Sequence, residues 1–129
     1  MGKTFMLERL LDSVILIDHL NGVPRATEFL LALDPAKTAI SVISYAEILT
    51  GLDKDGERKA LPLLSSFEIL GIDATVAEKA AALRRQHGWK LPDAFQAAIA
   101  VLHGVKLCTR NTKNFNPQKH PFVEIPYLL

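Results

Sequence analysis

Three acidic residues spread along this 129-residue chain are the strongest candidates for chemistry: Asp12, Glu47 and Asp93. Asp93 stands near the start of an apolar segment, 91–102, whose composition predicts a buried helix with Pro92 in its first turn. An isolated ionised carboxylate is very costly in an apolar interior. Asp93 therefore needs water, a hydrogen-bonding partner or a metal ion beside it.

The elements that position these acids point to one edge of a sheet. Asp12 directly follows the first predicted strand, Glu47 lies one helical turn past the second, and Asn111 and Asn114 follow the fourth. Asp93 begins a helix that we expect to run antiparallel to the strands, so its start lies at their carboxyl ends. Ligands of open α/β sheets bind at that edge. We therefore expect these side chains to lie close together.

Several carboxylates at one edge favour a metal site. They cannot all stay ionised without a counter-charge, and a divalent cation supplies one. Oxygen-only ligands suit Mg²⁺ or Mn²⁺, and such an ion activates water and stabilises charge on a phosphate. Each acid also has a simpler interpretation, which stays open: Asp12 as a helix cap, Glu47 as part of a capping box with Ser44, and Asp93 as a first-turn acid favoured by the helix dipole.

Strand and helix patterns alternate along the chain. The predicted strands are 5–11, 39–42, 67–70 and 105–108, with a possible edge strand at 122–125. Helices are predicted at 14–20, 24–33, 44–51, 53–66, 73–87 and 91–102, with Pro62 expected to kink or divide the fourth. This order predicts an α/β fold with a mainly parallel sheet, in a single domain spanning residues 1–129.

Composition argues against several other classes of protein. Hydrophobic residues make up 49% of the chain, which argues against disorder, and a net charge of +1 gives no strongly basic field. No apolar run approaches a membrane span, and Glu8 and Arg9 interrupt any signal peptide, so we expect a cytoplasmic protein. Cys108 is expected in the core. Asp18 is expected to face solvent or to cap a helix. The spacing of the histidines does not predict a zinc site.

Four segments together resemble the PIN-domain ribonucleases, and most closely the VapC toxins of bacterial and archaeal toxin–antitoxin pairs. They are LDSVILID at 11–18, ISYAEILTG at 43–51, LPDA at 91–94 and TRNTKNF at 109–115. Together, in this order, the four segments span most of the chain. The resemblance implies a three-layer α/β/α sandwich, Mg²⁺- or Mn²⁺-dependent endoribonuclease activity, a homodimer, and inhibition by a small cognate antitoxin.

The resemblance also implies roles for individual residues. Asp12 and Asp93 match the central metal ligands, Glu47 matches the second acid, and Ser13 matches the small hydroxyl residue beside the first acid. The chain departs from the pattern at Asn114, where the family usually has a further carboxylate. An amide offers an oxygen but no charge, so this departure bears on a second metal ion and on full activity.

The leading hypothesis is a metal-dependent endoribonuclease toxin acting on RNA. Asp12 and Asp93 would hold the metal, Glu47 would bind it or orient the attacking water, and Asn114 would complete the site. The candidate substrate-binding residues are Ser13, Lys90, Arg110, Asn111 and Lys113.

Two alternatives remain. One is a PIN-like protein-interaction module that has lost full activity through the neutral Asn114, and the other is a phosphotransfer domain with Asp12 as nucleophile. Surplus apolar residues, including Phe29, Leu33 and the leucines around Pro62, predict a dimer interface or an antitoxin-binding groove.

Overall fold

The computed structural model describes residues 6–129 of the chain. Its strands are β1 (Arg9–Leu11), β2 (Thr38–Ser41), β3 (Glu68–Leu70), β4 (Lys106–Cys108) and β5 (Val123–Glu124). Its helices are α1 (Ser13–Leu20), α2 (Pro24–Leu31), α3 (Val42–Thr50), α4 (Lys54–Leu64), α5 (Ala74–His87) and α6 (Leu91–His103), and a 3₁₀ turn at Pro35–Lys37 precedes β2. Within the described residues, no helix is long and apolar enough to cross a membrane.

The five strands form one sheet in the order β3-β2-β1-β4-β5, and each neighbouring pair is parallel. Leu11, the last residue of β1, is in register with Ile40 on one side and Cys108 on the other. The residues that follow β1 and β4 therefore emerge side by side at the same edge. Strand order reverses between β1 and β4, which is where open α/β sheets form their ligand crevice.

Helices cover both faces of the sheet, which gives the predicted three-layer sandwich. Neighbouring strand residues point to opposite faces, so Leu10 joins the core under α5 and α6 while Leu11 joins the core under α1 to α4. Both leucines are 0% exposed. β1, β2 and β4 are short and largely buried on both faces, which explains why they read as brief apolar runs rather than as alternating patterns.

Local signals set the helix ends, and the structure corrects two of our predictions. Asp73 caps α5 by accepting a hydrogen bond from the Val76 amide, as predicted. The capping box at Ser44 is wrong, because α3 begins at Val42 and its cap is Ser41, which accepts from the Ser44 amide. Of the two outcomes expected for Pro62, a kink or a division, the division is wrong, because α4 continues through Pro62 to Leu64.

The remaining predicted elements differ only at their ends. Of the first predicted strand, Phe5 lies outside the described residues and only Arg9–Leu11 pair in the sheet. Cys108 is fully buried in the core, as expected, and burial raises the pKa of its thiol above the ordinary value.

Candidate active site

A cleft of about 510 Å³ opens at the carboxyl edge of the sheet, between the end of β1 and the start of α6. It is lined from four parts of the chain: the β1–α1 junction, α3, the first turns of α6, and the loop after β4. Among its lining residues are Asp12, Ser13, Glu47, Asp93, Gln96, Arg110, Asn111 and Lys113. The shared edge predicted from strand order therefore exists as a solvent-accessible depression.

Asp12 is fixed at the base of this cleft by donors from two other elements. Its backbone amide donates to the Cys108 carbonyl at 2.9 Å, which extends the β1–β4 pairing by one residue. Its carboxylate accepts from the Thr109 hydroxyl at 2.7 Å and from the Gln96 amide at 3.4 Å. Asp12 stands at the N-cap position of α1 but makes no side-chain capping hydrogen bond. Capping is therefore not what holds this carboxylate in place.

Asp93 lies in the first turn of α6, after Pro92. Its Oδ2 accepts a hydrogen bond from the Asn114 side-chain amide at 2.9 Å. The Asn114 backbone amide in turn donates to Asn111 Oδ1 at 3.3 Å, which holds the turn that presents the Asn114 side chain. Asn114 therefore faces Asp93 and is directed at the acid from the loop that follows β4.

The electrostatics of the cleft favour a cation. Burial raises the pKa of Asp12, and the negative charge of Asp93 raises it further, while the hydrogen bonds from Thr109 and Gln96 act in the opposite direction. Because burial and a neighbouring negative charge disfavour the ionised carboxylate, a bound cation would stabilise it. The donors at this point are carboxylate, amide and hydroxyl oxygens, the set that Mg²⁺ and Mn²⁺ prefer.

Glu47 reaches the same cleft from α3, where it is exposed. In residues 6–129, no three acidic, histidine or cysteine side chains lie close enough together to hold a metal by themselves. Asp93 is near enough to Asp12 for its negative charge to raise the pKa of Asp12. Mg²⁺ commonly binds through one or two carboxylates and keeps several waters, so Asp12 and Asp93 alone would be enough carboxylates for that ion.

The structure gives Arg110 a partner. Its guanidinium makes two hydrogen bonds to the Asp18 carboxylate, at 2.7 and 2.9 Å. Tyr127 donates a third to Asp18 at 2.8 Å. Asp18 is only 5% exposed, so the expectation that it faces solvent or caps a helix is wrong. Arg110 still borders the cleft, but its charge is largely neutralised by a buried acid.

The other predicted substrate-binding residues are placed differently. Ser13 and Lys113 both line the cleft, where Ser13 is half-buried and Lys113 is exposed. Asn111 also lines it, but its side-chain oxygen is engaged in the turn before Phe115. Lys90 is exposed just before α6 and is not part of the cleft lining.

Two contacts to the acids were not anticipated from the sequence. Gln96 and Thr109 both donate to Asp12, and both are almost fully buried. A signal for Gln96 existed, because it is the polar residue within the otherwise apolar stretch 94–102. Thr109 gave no such signal, since a threonine after a strand is ordinary.

Comparisons with known proteins agree with this geometry. The PIN domain family matches residues 9–117. Ribonuclease VapC10 of Mycobacterium tuberculosis is 33% identical over 112 residues, covering 82% of this chain and 84% of the relative. A toxin-antitoxin complex from Klebsiella pneumoniae contains a chain with a TM-score of 0.87 and 40% identity, covering 95% of this chain and 100% of that one.

A second solved structure extends the same likeness. FitAcB from Neisseria gonorrhoeae superposes with a TM-score of 0.78 at 27% identity, covering 94% of this chain and 99% of that chain. The family match includes Asp12, Glu47, Asp93 and Asn114 within its bounds. With the cleft at the carboxyl edge of a parallel sheet, these likenesses show that the chain belongs to the PIN-domain family, among its VapC-type members.

Proposed function

We propose that this protein is a metal-dependent endoribonuclease and the toxin of a VapBC-type toxin–antitoxin pair. The observation that carries the proposal is the cleft in which Asp12, from the end of β1, meets Asp93, from the start of α6. It is supported by the likeness to a ribonuclease and to a chain of a toxin-antitoxin complex.

Asp12 and Asp93 would hold Mg²⁺ or Mn²⁺. When bound, a divalent cation activates water and stabilises the charge that develops on the scissile phosphate. Thr109 and Gln96 keep the Asp12 carboxylate oriented, and Asn114 keeps Asp93 oriented. Glu47, exposed on α3 and lining the same cleft, would orient the attacking water or accept its proton.

The RNA backbone would be held by the residues of the cleft that remain free. Lys113 offers a mobile positive charge to a phosphate, and Ser13 offers a hydroxyl beside Asp12. Asn111 would contribute mainly by shaping the turn, and Lys90, exposed just before α6, would meet the phosphates of an RNA strand that extends beyond the cleft. Arg110, already paired with Asp18, contributes less charge than its position suggests.

The partner would be a small antitoxin, and the protein would form a homodimer. Of the residues predicted for this surface, Phe29 and Leu33 instead pack, half-buried, against the core under α1 to α4. Leu61 is 37% exposed, and Leu31, which was not predicted, is 82% exposed on the same side of the sheet. Exposed apolar side chains on helices are what an amphipathic partner helix buries. Light scattering of the purified chain, with and without its antitoxin, measures both associations.

The activity is tested by incubating purified protein with labelled RNA and Mg²⁺ or Mn²⁺, with EDTA as the control. We expect internal cleavage that EDTA abolishes and that Asp12→Asn and Asp93→Asn both eliminate. A folded parent protein that leaves RNA intact with either metal would refute the nuclease. It would favour the alternative of a non-catalytic interaction module, to which the neutral Asn114 gives its support.

A further inference from the structure

Gln96 is a buried polar residue inside an apolar helix. It is 2% exposed on α6, and the neighbouring Ala94, Ala97 and Ala98 are all 0% exposed. A side-chain amide carries two N–H donors and one acceptor oxygen, and burying these groups without partners costs free energy. Hydrogen bonds to the Gln96 side chain must therefore offset the cost of burying its amide.

The partners of Gln96 fix the direction of its amide. Ser41 Oγ accepts from the Ser44 backbone amide and donates its own hydrogen to Gln96 Oε1. Gln96 Nε2 then donates to Ser44 Oγ at 2.7 Å and to Asp12 Oδ1 at 3.4 Å. The reversed amide would bring its oxygen against a carboxylate oxygen, two acceptors in contact. The Asp12 carboxylate, which can only accept, thus sets the direction of the amide, and the two serine hydroxyls satisfy its oxygen and its other N–H.

We propose that Gln96 is a positioning residue for the reaction, holding the Asp12 carboxylate in the orientation that binds the metal, with Ser41 and Ser44 holding its side-chain amide in place. This inference rests on the proposed function. Asp12 Oδ2 is held by Thr109 at 2.7 Å, so rotation of the carboxylate is restrained from two sides, by α6 and by the residue after β4. Removing one of these donors frees the carboxylate to turn.

The expected loss of Mn²⁺ affinity can be judged from residues that orient metal ligands in other proteins. Loss of such a hydrogen-bonding partner typically weakens metal affinity by about 10–100-fold. The contact from Gln96 is long, at 3.4 Å, so we expect the lower end of that range. Gln96 touches no group that we assign to RNA binding, so the Michaelis constant for RNA should stay unchanged.

The test is the variant Gln96→Met, which keeps the length of the side chain and removes its donors. The Mn²⁺ dissociation constant of the metal-free protein is measured by isothermal titration calorimetry, and kcat and KM are measured on RNA. Ile99→Val serves as the matched control, because Ile99 lies on the same helix, is 0% exposed and belongs to the apolar core. Thermal melts report any loss of stability in either variant.

We expect Gln96→Met to weaken Mn²⁺ binding about tenfold and to lower kcat with KM unchanged, while Ile99→Val lowers only the melting temperature. Equal Mn²⁺ affinity of parent and Gln96→Met would overturn the inference, and so would an equal loss of affinity in the Ile99→Val control. A parent that binds neither Mn²⁺ nor Mg²⁺ would instead overturn the proposed function, and the role of Gln96 with it.

Discussion

Removing the guanidinium of Arg110 should destabilise the protein by an amount that depends on pH. Asp18 is 5% exposed and accepts two hydrogen bonds from Arg110 and one from Tyr127. In Arg110→Met the carboxylate stays buried with a single neutral donor. Breaking a buried ion pair in this way costs about 3–5 kcal/mol. The Arg110 side chain is 32% exposed, so water can reach part of the gap, and we expect about 2–3 kcal/mol.

That loss converts into a shift of the thermal midpoint. Unfolding entropy is about 2.1 cal/mol/K per residue, which gives about 0.27 kcal/mol/K for a chain of 129 residues. The midpoint of Arg110→Met should therefore fall by about 7–11 °C at neutral pH. Circular dichroism or differential scanning calorimetry measures it.

The destabilisation of Arg110→Met should depend on pH, and this dependence identifies the lost ion pair as its cause. Arg110 holds the pKa of Asp18 below its ordinary value. The ion pair therefore stabilises the parent fully above the unfolded pKa of about 4, and this stabilisation is lost as the pH falls through the lower folded pKa. In Arg110→Met the unpaired Asp18 takes up a proton more readily. The difference in midpoint between parent and variant should therefore shrink on acidification.

A double variant separates the charge from the packing. In D18N/R110M neither partner carries a charge, and most of the loss should be recovered, because a buried site without charges has no unpaired ion. The reasoning would be refuted if Arg110→Met melted within about 1 °C of the parent. It would also be refuted if D18N/R110M were no more stable than the single variant.

Three further outcomes are expected. Asp12→Asn should weaken Mn²⁺ binding severely without lowering the melting temperature, because it removes a buried charge that lies near Asp93. Calorimetric titration and thermal melts check this, and an unchanged Mn²⁺ affinity would remove Asp12 from the metal site. Asn114→Asp should tighten Mn²⁺ binding, since affinity in oxygen sites rises with ligand charge and Asn114 contacts Asp93; an unchanged dissociation constant would contradict a role for position 114. Asp73→Ala should cost about 1 kcal/mol in urea unfolding, because the α5 cap is lost, and an unchanged urea midpoint would count against that cap.

The fold was largely predictable because its signals are local. The alternation of apolar runs and amphipathic segments gave each strand and helix to within a few residues, and Gly88 and Gly104 end α5 and α6 in the left-handed conformation that glycine favours. The capping box at Ser44 failed because Ser41 offers a competing cap three residues earlier. Two candidate caps in one segment cannot be ranked without knowing where the strand ends.

The site was predictable only in part. Asp12, Glu47 and Asp93 could be assigned to one edge by the topology rule, and the structure places all three around the same cleft. Their roles, and that of Asn114, stay predictions. The burial of Asp18 could not be foreseen, because its partner Tyr127 lies 109 positions away and nothing local marks the pairing.

The contacts that build the site join distant parts of the chain. The site can therefore form only after the later parts of the chain have been synthesised. Thr109 and Gln96, the two donors to Asp12, lie 97 and 84 positions from it. Closing such long loops is slow, because entropy is lost before any contact forms. A nascent chain synthesised only through α5 carries Asp12 and Glu47 but neither Asp93 nor the β4 strand beside which Asp12 must lie. Such an unfinished chain has no cleft, so the proposed metal site would form only late in synthesis.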